Sequence, residues 1–150
     1  MLRSRRTSVS SVSHSGEQVS HSDITEQIVQ AFYTVYDTLG YGFLEKVYEN
    51  ALAIELRKIG FHVAQHRNIR VYYDGQIVGD SFADILVNDQ VILKIKAAES
   101  LKEEDEAELI NHLKATIKEV GLLLNFGKTP EFKRAIFTNR MKIEHERHSL

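Results

Sequence analysis

Residues 91–100 read VILKIKAAES, in which Val91, Ile92, Leu93 and Ile95 surround Lys94 and Lys96. An aliphatic run of this kind suits a strand buried on both faces, where an unpaired ammonium is costly. Side chains two apart project from one face of a strand, so the two lysines belong together. Upstream, SFADILV sets Asp84 on a face with Phe82 and Leu86, while Ala83 and Ile85 take the other. If a hairpin at Asn88-Asp89 brings these faces into agreement, Asp84 and both lysines share a small polar spot on an apolar sheet. Charges so placed need partners or a bound ion, which marks them as a candidate site. The alternative is an edge strand whose lysines reach water and discourage aggregation, with Asp84 as their ion-pair partner.

Three further side chains could join such chemistry. Glu45 opens a helix, where the helix dipole favours an acid with or without a catalytic duty. Glu108 and His112 lie four apart, on one face of a helix, as a metal-binding pair or as part of a solvated face. The chain has no cysteine, so a zinc site would rest on histidine and carboxylate, and disulfides are excluded.

The elements that must position these groups can be read from the spacing. Asp23 and Glu26 form a capping-box-like start, and Ile24, Ile28, Phe32, Val35 and Leu39 recur at helical spacing. Gly40-Tyr41-Gly42 breaks that helix. A second is predicted over about 43–59, with Leu44, Val47, Tyr48, Ala51, Leu52 and Leu56 inward and Gly60 as its stop. Residues 61–97 read as a three-stranded antiparallel meander with turns at Asp74-Gly75 and Asn88-Asp89. A third helix is predicted over about 103–120, its apolar side carrying Leu109, Leu113, Thr116, Ile117 and Val120, and Gly121 ends it. GLLLNF and FKRAIFT supply two more strands. The order αα-βββ-α-ββ predicts an α/β fold with a central mixed β-sheet flanked by helices.

At 150 residues and 43% hydrophobic content the chain suits one domain. Residues 1–22, rich in Ser and Arg, read as a disordered tail, with a mitochondrial transit peptide or a kinase site at Ser8 in RRTSV as functional alternatives. No apolar run approaches the ~18 residues that span a bilayer, so a soluble, intracellular and cytoplasmic protein is expected, without membrane partners. Without Arg3, Arg5, Arg6 and Glu17 of that tail, residues 23–150 carry a net charge of about −4, so any nucleic-acid contact needs a local basic patch.

GFLEKVYENAL, with Gly42, Glu45 and Tyr48, resembles the signature of the GxxExxY proteins, a branch of the PD-(D/E)XK nuclease superfamily. DILVNDQVILKIKAAE resembles that family's Asp, hairpin and Glu-x-Lys segment. AELINHLKATIKEVGLLLNFG and FKRAIF continue the match, which covers about residues 23–138. The resemblance implies a restriction-endonuclease-like core over 23–140, with a charged tail at 141–150. It also implies nucleic acid as partner and Mg²⁺ or Mn²⁺ as cofactor if the protein is active. Carried over by position, Asp84 becomes the metal-binding aspartate, Lys96 the catalytic lysine, and Glu45 an acid completing the site.

Three positions depart from the pattern: Lys94 stands where the family has Glu, Glu108 where it has Gln, and His112 where it has Tyr. A unit charge 5 Å from another is worth roughly 3 kcal/mol at an effective dielectric of ~20, and a divalent ion feels twice that, so Lys94 opposes metal binding. Glu108 could restore the missing carboxylate, giving a nuclease that uses Asp84, Glu108, Glu45 and Lys96. It could instead neutralise Lys94, leaving a catalytically inactive nucleic-acid-binding or protein-interaction module.

Overall fold

The computed structural model describes residues 21–142. The readings made for residues 1–20, Ser8 among them, and for 143–150 lie outside the described residues. Helix α1, His21–Leu39, and helix α2, Glu45–Ile59, are joined by a short break in which Gly40 and Gly42 hold φ of 69° and 112°, a region open to glycine at little cost. Tyr48 of α2 closes this break from below. Its hydroxyl donates to the Gly40 carbonyl at 2.6 Å and accepts from the Phe43 N–H at 3.2 Å, while its ring stacks on Phe126 at 4.3 Å.

Strands β1, Val63–Tyr73, and β2, Gln76–Val87, form a long antiparallel hairpin whose two-residue turn, Asp74 and Gly75, has positive φ at both positions. Strand β3, Val91–Lys96, returns beside β2 but pairs with it only at Ile85↔Leu93, Leu86↔Ile92 and Val87↔Val91. Helix α3, Glu103–Lys114, then carries the chain over the sheet to β4, Val120–Phe126, which lies parallel to β3. Strand β5, Pro130–Ile136, closes the sheet antiparallel to β4, so the five strands stand in chain order.

Two cores lie on opposite faces of this α/β sheet. Ile28, Phe32 and Val35 of α1 and Tyr48, Leu52 and Leu56 of α2 meet Ile85, Leu93, Ile95, Leu122, Leu124 and Phe126. On the other face Leu109 and Leu113 of α3 meet Leu86, Ile92, Leu123 and Ala135. Each fully buried aliphatic or aromatic side chain contributes roughly 1.5–3 kcal/mol. Helix α3 lies so close to β4 that a Cβ at Gly121 would fall 2.7 Å from Leu109 Cδ1. Every residue of β4 is buried, as befits a strand covered on both faces.

The eight elements follow the expected order, with four local differences. Leu44 and Val47, expected inward, are exposed, and the buried stripe of α2 is Tyr48, Glu49, Leu52, Ala53 and Leu56. Helix α3 stops at Lys114 rather than near Val120: the Thr116 hydroxyl bonds the carbonyls of His112 and Leu113, Ile117 turns to solvent, and Val120 pairs with Val91. The even alternation expected along β2 fails at Asp84, since Ala83 joins the α3-side core and Ile85 the opposite one. Lys142, expected to belong to the tail, donates to the carbonyls of Thr116 at 2.6 Å and Lys118 at 2.8 Å. Among the described residues no helix is long and apolar enough to cross a membrane.

Candidate functional site

The break in alternation at Asp84 coincides with the end of the β2–β3 ladder. Opposite it on β1, His66 takes a left-handed backbone with φ 58°, a conformation uncommon outside glycine. Beyond Ile85↔Leu93 the strands part, and the Asp84 carboxylate fills the fork: its Oδ2 accepts from the Ile95 N–H at 2.6 Å. A side chain thereby satisfies a buried strand donor that the ladder leaves unpaired.

Lys94, from the facing strand, is the cation of this fork. Its Nζ lies 3.9 Å from Asp84 Oδ2 and 3.8 Å from Glu108 Oε2, donates to the Phe82 carbonyl at 3.5 Å, and sits over the Phe82 ring at 5.3 Å from the centroid. The lysine side chain is 11% exposed and that of Asp84 14%, whereas Glu108 is 44% exposed and half in water. The ammonium therefore lies between one buried and one exposed carboxylate. Burial pushes the Asp84 carboxyl above the ordinary carboxylate range, against the Ile95 N–H and the Lys94 charge; Glu49 and Glu45 raise it further.

Lys96 goes elsewhere. Its Nζ pairs with Asp105 Oδ1 at 3.5 Å, and Oδ2 of the same carboxylate accepts from the Lys102 N–H at the start of α3. Asp105 thus caps a helix and anchors the lysine together. The segment after Lys96 is fixed by Asn125, fully buried, whose amide bonds both the N–H and the carbonyl of Ala98 at 2.9 Å. A Cβ at Gly127 would come within 2.4 Å of that carbonyl, so this close approach requires glycine.

Glu108 and His112 point to different partners and do not chelate together. The His112 ring is buried, with Nε2 2.8 Å from Ser81 Oγ and Nδ1 without a hydrogen-bond partner. Burial, then the Lys94 charge, holds its pKa below the ordinary histidine value, with Glu108 opposing. On the far side of the sheet Glu45 is exposed at the start of α2, and Glu49, one turn later, is buried and accepts from Gln65 Nε2 at 2.8 Å. Gly42 and Tyr48 shape the chain before Glu45. Sequence spacing overlooked Glu49, Gln65, Ser81 and Asp105. The first of them could have been found, because positions 45, 49, 52 and 56 share a helical face.

Divalent magnesium prefers about six oxygens at roughly 2.0–2.1 Å. Among the described residues no three His, Asp or Glu side chains converge to hold such an ion. Asp84 is engaged by a backbone N–H and an ammonium, and the Lys94 ammonium lies between it and Glu108.

A family model of the PD-(D/E)XK nuclease superfamily matches residues 22–135. Among solved structures, the crystal structure of SSO0001 aligns with a TM-score of 0.45 at 14% identity, covering 85% of this chain and 66% of that one. An alkaline exonuclease (LHK-Exo) from Laribacter hongkongensis aligns with a TM-score of 0.41 at 13% identity, covering 87% of this chain and 77% of that one. The chain thus spans just under two thirds of the length of the first of these. No curated protein matches it.

Proposed function

Because the chain belongs to the PD-(D/E)XK nuclease superfamily, we propose that it is a nucleic-acid-binding protein of nuclease fold in which Lys94 does the electrostatic work of an absent divalent ion, and that it does not cleave. The observation that carries this reading is the Lys94 ammonium within 4 Å of both Asp84 and Glu108. Nucleases of the superfamily generally use divalent metals, which supply the charge that activates water and steadies the phosphate. Here an ammonium neutralises the carboxylates instead. Unit charges 4 Å apart interact by about 4 kcal/mol at an effective dielectric of 20, and a divalent ion beside Lys94 would meet about twice that repulsion.

Phosphate contacts on this reading come from exposed cations outside the fork, such as Arg67, opposite Ala83 in the β1–β2 ladder. The folded unit is proposed as residues 23–140, and its finer placement in the GxxExxY branch rests on Gly42, Glu45 and Tyr48. The second reading is metal-dependent phosphodiester hydrolysis by Asp84, Glu108 and Glu45 with Lys96. It is favoured by one observation, the negative potential that Glu49 and Glu45 exert on Asp84.

Calorimetric titration with Mg²⁺ and Mn²⁺, run beside an oligonucleotide binding and cleavage assay, separates the two. The expected result is no metal binding by the parent, binding gained in Lys94→Glu, and salt-sensitive oligonucleotide binding without cleavage. Metal-dependent cleavage by the parent that Asp84→Ala abolishes would overturn the proposal.

A further inference from the structure

Beyond its pairing with β3, the hairpin of β1 and β2 continues as an arm, and at the root of that arm one residue is strained. Among the described residues four other than glycine hold a positive φ. Asp74, Asn88 and Asp89 do so in the two hairpin turns, which require that backbone and suit Asp and Asn. His66 does so inside strand β1, at φ 58° and opposite Asp84, where no turn requires it. Glycine would hold this backbone without strain, and strain kept beside a site points to a use of the side chain.

The strained backbone places a ring. The His66 imidazole packs on the Phe82 ring of β2 with centroids 3.9 Å apart and planes 35° from parallel. Lys94 Nζ lies 5.3 Å from the centroid of the same Phe82 ring, so a row of cation, ring and ring runs from the fork to the surface. His66 at its outer end is exposed, and Phe82 keeps 37% of its surface in water. The flanks of the ring are pinned. Gln65 Nε2 donates to Glu49 Oε2 at 2.8 Å and to Asn50 Oδ1 at 3.0 Å, and Asn68 Nδ2 donates to Asp80 Oδ1 at 3.5 Å. Arg67, between them, is exposed, and no carboxylate of the described residues pairs with it, whereas Arg70 is held by Asp80.

We propose that His66, Phe82 and Arg67 form a subsite for one unpaired nucleotide of a single strand. The base stacks on His66, which Phe82 backs, and the Arg67 guanidinium takes the adjoining phosphate. A ring can stack only on a base whose face is open, and in a duplex the faces are covered by neighbouring pairs, so the subsite selects single strands. This rests on the reading of the chain as a nucleic-acid-binding protein and adds which form of nucleic acid it takes. Charge agrees with stacking as the main attraction: Arg67 supplies one phosphate contact, and the neighbouring Glu49, Asp80 and Asp84 leave no broad cationic track for a duplex backbone.

Fluorescence anisotropy of a labelled oligonucleotide, single-stranded or annealed to its complement, tests this on the full chain. The parent should bind the single strand about fivefold or more tightly than the duplex. His66→Gly keeps the backbone angle and removes the ring; it should weaken single-strand binding about five- to tenfold and duplex binding hardly at all. Arg67→Gln should reduce the slope of log affinity against log salt by about 0.7, one phosphate contact on a single strand, and His66→Gly should leave that slope unchanged. A parent that binds both forms equally, or a His66→Gly chain that keeps the single-strand preference, would overturn the subsite and leave the nucleic-acid reading standing. So would equal weakening of both forms in His66→Gly, the mark of a merely structural ring. A parent that binds neither form would overturn the reading of function itself, and the subsite with it.

Discussion

The fork between β2 and β3 and the arm formed by β1 and β2 share a strand and are built on opposite principles. In the fork, charges are buried and answered internally: Asp84 by Ile95 and Lys94, Lys94 by Glu108 and the Phe82 carbonyl, Lys96 by Asp105. In the arm, large apolar side chains stay exposed, and Tyr72 meets the Arg70 side chain of its own strand. A region whose polar groups are satisfied from within stabilises the fold, and a region whose apolar groups face water awaits a partner. The outward-facing function of the molecule is thus better sought along the arm and its flanks than at the fork.

The sharpest way to break this contrast is to remove the fork's cation. Lys94→Met keeps an unbranched side chain one atom shorter and deletes the charge, leaving the buried Asp84 with only a backbone donor. Breaking a buried pair costs about 3–5 kcal/mol. Because Glu108 is half in water, a loss of about 2–3 kcal/mol is expected from urea denaturation. A change below ~0.5 kcal/mol, as at an ordinary surface position, would show that Lys94 is no structural ion.

Tyr48→Phe probes the support of α2. The ring keeps its stack on Phe126, and only the hydroxyl between Gly40 and Phe43 is lost. One strong hydrogen bond removed and one N–H left without its partner amount to about 1–2 kcal/mol, again read by denaturation. An unchanged midpoint would mean that the Gly40–Phe43 break holds its shape unaided.

The order of elements was legible because helical spacing, turn dipeptides and the aliphatic runs of β3 and β4 are local signals. What escaped the sequence was set by contacts between elements. Period-two alternation placed Asp84 on a plain face of β2, but the ladder with β3 ends there and His66 bends the opposing strand. The apolar residues of α3 continue at helical spacing to Val120, yet pairing of Val120 with Val91 in the parallel register takes that residue into β4. At the candidate site, Asp84, Lys94 and Glu108 could be named from type and spacing. That Lys96 would turn to Asp105, and that Glu49 would be the buried acid of α2, depended on how α3 and α2 dock.

The next effect is smaller and appears as a pH slope. His112 is held below the ordinary histidine value of 6.5 chiefly by burial, so the unfolded chain takes up a proton there before the folded one does. Stability should therefore fall as pH drops from 6.5 toward the lowered histidine pKa. Asp84 has the opposite sign: its raised carboxyl is protonated more readily in the folded state, which offsets part of that loss as pH falls through the carboxylate range. Unfolding midpoints across pH 4–8 should show the first slope in the parent and a shallower one in His112→Gln. An equal slope in both would assign it to other groups.

The smallest effect belongs to the arm, and it completes the contrast. Tyr72→Ser/Tyr73→Ser removes two of the most exposed aromatic side chains in the described structure, and their surface contributes little burial within one chain. Measured by urea denaturation, the stability change should stay within about 0.5 kcal/mol, against several times that for Lys94→Met. A large loss would mean that the tyrosines hold the ribbon itself together, and the arm would then be a buttress of its own chain rather than an exposed surface.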